Sequence, residues 1–172
     1  MEKERIIDYE VEQVLEEPAE ADGKGTKDNA GVELLGMWIV RNAIIPPSGF
    51  KALTVWPFIF CRKALKDADV SHEAIHGRQQ KETIPFGILS AIALFLLGGG
   101  WWSLLALPFF YWWYGIEWVI RLVMYRNRKE AYRNISFEQE SYGNEADFGY
   151  LNGRAPYAWA SYLFRKTYNK KQ

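Results

Sequence analysis

Hydrophobic and polar positions divide the chain into regions of different character. Residues 1–31 are polar and acidic, and 21–31 are rich in Gly and charge with no apolar period. A segment of that composition buries too little apolar surface to offset the entropy of ordering. It is expected to be an acidic disordered tail, with one short helix near Ile6–Leu15. No apolar run follows Met1, so no secretory signal is expected. Residues 32–46 are apolar but are broken by Gly36 and Arg41, too short and interrupted to cross a bilayer well. Pro46-Pro47-Ser48-Gly49 predicts a turn. Residues 51–61, rich in β-branched and aromatic side chains, predict a strand. Pro57, with no N–H to donate, makes it an edge strand or breaks it. A helix over 70–82, capped by Asp67 or Asp69, should follow.

The main feature comes next: residues 83–116 contain no charged side chain. As one helix this run would be roughly 50 Å long at ~1.5 Å per residue, too long for a bilayer core of ~30 Å. Gly98-Gly99-Gly100 lies near its middle, so the pattern predicts a membrane helical hairpin over about 83–124, with arms near 83–97 and 101–124, either fully spanning or re-entrant. Trp101 and Trp102 beside the turn suit a membrane interface. Arg62, Lys63, Lys66, Arg78 and Lys81 precede the hairpin, and Arg121, Arg126, Arg128, Lys129 and Arg133 end or follow it. Both flanks lie on one side, which the positive-inside tendency makes cytoplasmic. Residues 136–149 read as a second, polar helix with a capping-box start at Ser136 and Gln139 and a stop at Gly149. The aromatic, basic stretch 157–168 fits either the membrane surface or the core.

Composition sharpens this reading. The 172 residues carry 21 basic and 21 acidic side chains. That balance argues against a nucleic-acid partner held by a basic field. It conceals an asymmetry, because residues 1–31 are net −6 and the remainder net +6. One cysteine excludes an intramolecular disulfide and any multi-thiolate metal site. Eight Trp in so short a chain are unusual for a soluble domain.

The candidate chemistry lies in His72-Glu73-Ala74-Ile75-His76, which contains the only two histidines of the chain. On a helix, residues four apart share a face, so both imidazoles can reach one ion, and Glu73 projects beside it as a candidate general base. A catalytic zinc takes three protein ligands and an open position. With no third His, a carboxylate on the later polar helix is the expected third ligand, and Glu138, Glu140 and Glu145 are the candidates. Helix geometry alone does not choose among them. Cys61, at the end of an apolar strand, is better explained by packing than by ligation.

These residues resemble an integral-membrane zincin of the gluzincin kind. In the HtpX-like and prenyl-protein-processing membrane proteases, membrane helices follow the active helix. Their third ligand is a Glu in a Glu-x-x-Ala-Asp pattern. Glu138-Gln139-Glu140-Ser141-Tyr142 matches that register, with Ser141 at the small position and Tyr142 in place of the Asp that would orient the first histidine. The runs 57–60, 72–82 and 131–140 resemble more closely an uncharacterised bacterial family of small membrane proteins, over roughly residues 44–155. The resemblance implies zinc held by His72, His76 and Glu138, with Glu73 as the base.

The expected architecture is therefore α+β and mainly helical. It combines a minimal zincin-like active-site helix, an edge strand and a membrane hairpin in a single domain over 32–172. The expected function is a membrane-bound zinc metallopeptidase of a bacterial inner membrane, facing the cytoplasm, with a peptide or protein substrate and membrane lipid as partners. A zinc-binding membrane sensor without peptidase activity is the alternative, and a metal-free structural membrane protein the third reading.

Overall fold

The computed structural model describes residues 32–165 except Leu35 and Ala43. The expected acidic tail and its short helix lie outside the described residues. The described chain is α+β and mainly helical, and it forms two compact units that divide after Ala74, inside one continuous helix.

The first unit is a small sheet with the beginning of that helix. Strands β1 (Val32–Leu34), β2 (Met37–Arg41), β3 (Ala52–Val55) and β4 (Phe58–Cys61) lie in the order β1-β2-β4-β3. β2 runs parallel to β4 in the register Ile39↔Ile59, and β3 runs antiparallel to it with Thr54 opposite Ile59. The strand expected over 51–61 is thus a hairpin broken at Trp56-Pro57, and only its first half, β3, is an edge strand. Pro57 offers no N–H, which suits a turn between paired strands. Met37, Ile59, Cys61, Val70 and Ala74 are buried in this unit.

Helix α1 runs from Asp67 to Leu94, 28 residues with Pro85 inside. The helix expected over 70–82 and the first hairpin arm are therefore one element. A π-helical turn (Phe95–Gly99) and a 3-10 segment (Gly100–Ala106) follow, with Gly98 and Gly100 both at positive φ. Only glycine adopts such angles without strain, so the reversal falls on the triple glycine. The second arm starts later than expected, because α2 spans Phe109–Tyr125 and its N-terminal flank is Pro108. At Gly87 a Cβ would collide with the Leu107 carbonyl, so the returning chain crosses α1 there in backbone contact. From Gly87 to Gly98 the hairpin extends about 16 Å at ~1.5 Å per residue, near half of a ~30 Å bilayer core. Its tip is uncovered: Leu97 is 83% exposed, Trp101 85% and Trp102 79%. Asp67–Ala106 is the one helical stretch among the described residues long and apolar enough to cross a membrane, with a mean hydropathy of 1.9 in its most apolar window.

The second unit has its core elsewhere. Helices α3 (Arg128–Arg133), α4 (Ser136–Asn144) and α5 (Tyr150–Gly153) follow α2. Phe110 of α2 stacks on Phe137 of α4 at 4.5 Å between ring centroids, and Trp159 covers Phe137 at 4.8 Å. The aromatic tail therefore packs on the core through Trp159, which is buried, while Phe164 is 93% exposed. Helix α4 is not the solvated polar helix its composition suggests. Residues 136–141 are all buried. Its expected capping box is absent as well, because Gln139 Nε2 donates to the Asn134 carbonyl. Glu117 of α2 takes the place of the box, accepting from Ser136 N–H at 2.9 Å and from Ser136 Oγ at 2.6 Å. Glu117 also pairs with Arg121 four residues on, at 3.0 Å, and Arg121 Nη2 donates to the Leu163 carbonyl at 2.7 Å. Both charges of this apolar helix thus face protein, as charges within apolar segments must.

Candidate metal centre

Helix α1 carries the two histidines one turn apart, and both are buried, at 7% exposure each. Helix α4 carries the third group. Its first turn contains Glu138, at 2% exposure, two residues after the helix start that Glu117 holds. One atom each of His72, His76 and Glu138 lies within 4.8 Å of the others. His76 Nε2 is 3.2 Å from Glu138 Oε1. Ligand atoms of a tetrahedral zinc with bonds of about 2.0–2.1 Å stand roughly 3.3 Å apart, so this pair already has the separation of two ligands. Two imidazole nitrogens and one carboxylate, all buried, form a donor set that fits a divalent metal ion and leaves a coordination position open.

The other candidates fall elsewhere. Glu140 is fully buried, but Arg154 holds it through Nε, and through Nη2 at 3.1 Å; Tyr150 OH donates to it at 2.9 Å and Gln79 Nε2 at 2.9 Å. Arg154 Nη2 also donates to Glu82 at 3.1 Å. Burial alone would lower the affinity of Arg154 for its proton, yet the two carboxylates raise it above the ordinary value. Glu145 lies at the C-terminal end of α4, and Cys61 is buried on β4, where burial raises its thiol above its ordinary pKa. Neither belongs to the group of close ligand atoms formed by His72, His76 and Glu138.

Tyrosines line the carboxylate side. Tyr114 OH donates to Glu138 Oε1 at 2.8 Å. The Tyr114 and Tyr132 rings stand 6.4 Å apart, and those of Tyr132 and Tyr142 6.5 Å. Burial, and then the negative charge of Glu138, push the Tyr142 phenol up to about 12 and the Tyr132 phenol up as well. Both remain neutral O–H groups at ordinary pH. Tyr142 thus belongs to the surroundings of Glu138.

Glu73 is placed by the sheet unit. Thr54 Oγ1, on edge strand β3, donates to Glu73 Oε2 at 2.7 Å. This bond ties the candidate base to the strand beside it. Tyr114 and Arg154 act through partners far away in the chain and gave no sequence signal, whereas Gln79, three residues after His76, could have been suspected from helix spacing. Comparison with protein-family models, with characterised proteins and with solved structures finds no match.

Proposed function

We propose that the protein is a membrane-bound zinc metallopeptidase of the gluzincin kind. The buried group His72, His76 and Glu138, with Glu73 beside it on the same helix, is the observation that supports this reading. Zinc bound there would polarise a peptide carbonyl and lower the pKa of an attacking water to about 7. Glu73 would accept the proton of that water at its carboxylate and pass it to the leaving amine. Thr54 orients the carboxylate by its bond to Oε2. The outer edge of β3 offers backbone groups to an extended peptide or protein substrate. Glu73→Gln is expected to retain zinc and to lower cleavage of an unstructured protein such as casein by at least ~100-fold, the scale of general-base catalysis. Equal cleavage by the variant would remove Glu73 from the role. Wild-type protein that holds zinc and cleaves nothing would assign the centre to sensing or partner binding.

The uncovered apolar hairpin and the exposed outer residues of α2, among them Ile116, Ile120 and Val123, are proposed to sit in membrane lipid. By the positive-inside tendency the basic flanks favour the cytoplasmic side of a bacterial inner membrane for both ends of the hairpin. Single cysteines at Ser71 and Asn144, in a Cys61→Ser background, should react with an impermeant thiol reagent from the same membrane side. Labelling from opposite sides would exclude the hairpin.

A further inference from the structure

Gln79 is fully buried, with three partners that differ in what they can give. Its Oε1 is 2.8 Å from His76 Nδ1. Its Nε2 donates to the Phe137 carbonyl at 3.1 Å and to Glu140 Oε2 at 2.9 Å. An amide's orientation follows from what faces each end. A main-chain carbonyl only accepts. The Glu140 carboxylate, paired with the Arg154 guanidinium, only accepts as well. The end of Gln79 that meets these two is therefore its NH2 group, and the carbonyl oxygen is left to face His76. That oxygen has no proton to give, so the bond to His76 requires the proton to be on Nδ1.

We infer that Gln79 is a positioning residue that keeps a proton on Nδ1 of His76 and so leaves Nε2, the nitrogen facing Glu138, as the ligating atom. The Arg154–Glu140 pair holds the Gln79 amide in the one orientation that does this. The placement of the proton stands on hydrogen-bond geometry alone; its value for metal binding rests on the metal-centre reading above. Ser141 Oγ lies 3.5 Å from the same Nδ1, at the limit of a hydrogen bond, so Gln79 is the closer partner. An acceptor on the far nitrogen fixes the tautomer and raises the basicity of a ligating imidazole.

With only two histidines in the chain, a ¹⁵N-histidine-labelled sample contains two imidazoles. A His72→Asn sample assigns them. In the full-length protein, metal-free and zinc-loaded alike, His76 Nδ1 should show the chemical shift of a protonated nitrogen and a resolved coupling to its hydrogen. Gln79→Met, similar in length but with no amide acceptor, should lose that signature and bind zinc about 10–100-fold more weakly. Glu140→Gln, which removes the carboxylate holding the amide, should show an intermediate loss. Glu82→Gln disturbs the same guanidinium, yet it should leave zinc affinity within about twofold because Gln79 keeps its partners. A merely structural role would make zinc affinity follow thermal stability across these variants. An unprotonated His76 Nδ1 in the wild type, or an unchanged signature in Gln79→Met, would overturn the inference. A protonated Nδ1 in a wild type that binds no zinc would uphold the inference and sink only the metal reading.

Discussion

Glu138→Gln is expected to abolish stoichiometric zinc binding. The Glu138 carboxylate is 2% exposed and stands 3.2 Å from His76 Nε2. A divalent ion there, held by two neutral imidazoles, would have no other negative ligand in the group His72, His76 and Glu138. Replacing the carboxylate by a neutral amide leaves a buried charge uncompensated, a change of about 3–5 kcal/mol, or roughly 10²–10⁴-fold in affinity. Competition against a chelator of known zinc affinity would measure it. Cleavage should fall with zinc occupancy. Glu140→Gln should lose much less, because Glu140 meets the centre only through Gln79. Full zinc binding by Glu138→Gln would move the third ligand elsewhere, and loss confined to Glu140→Gln would exchange the two roles.

Arg154→Met is expected to lower the stability of the fold by about 3–5 kcal/mol, the cost of breaking a buried ion pair by removing one partner. The Arg154 side chain is 1% exposed and sits between Glu140, at 0%, and Glu82, at 10%. Without the guanidinium, two carboxylates are left in a site with little water and no cation between them. A fall in Tm of many degrees would be seen by circular dichroism. A Tm within two degrees or so of wild type would show that the pair is not needed, since ~1 kcal/mol moves Tm by several degrees at this size.

Much of the site was legible before the fold, and the reasons are local. Two histidines four apart on a helix face one way whatever surrounds them, so their convergence needed only the helix. Among the three acids of the later helix, only the register of the resemblance favoured Glu138, and it is the one whose carboxylate lies near both histidines. What could not be read depends on residues far apart in the chain. Ser136 and Gln139 have the spacing of a capping box, yet Glu117, 19 residues earlier, is the group that receives Ser136 N–H. Helix α4 looked solvated because its composition is polar, but Arg154, Asn134 and Tyr114 satisfy its side chains inside the protein. The sheet was legible only in part. Strand β2, with Arg41 at its end and Gly36 just before it, has no clear alternation, and the break at Pro57 turned one expected strand into two. The hairpin reversal was placed by three glycines, whereas the start of α2 depended on Pro108 and the crossing at Gly87.

The bond between Arg121 and the Leu163 carbonyl has a consequence for biosynthesis. Its two residues are separated by 42 positions, so the acceptor is made well after the apolar helix that needs it. At ~5–20 residues per second the delay is about 2–8 s. Throughout that interval α2 has left the peptidyl-transferase centre while its guanidinium still lacks the last of its native acceptors. Glu117 shortens the exposure, because it lies four residues away and is synthesised first. The i, i+4 pair can therefore form within the nascent helix and carry the charge into an apolar setting. The later arrival of Ser136 and then Leu163 locks it in order. A chain released before Leu163 would keep the pair but not its anchor.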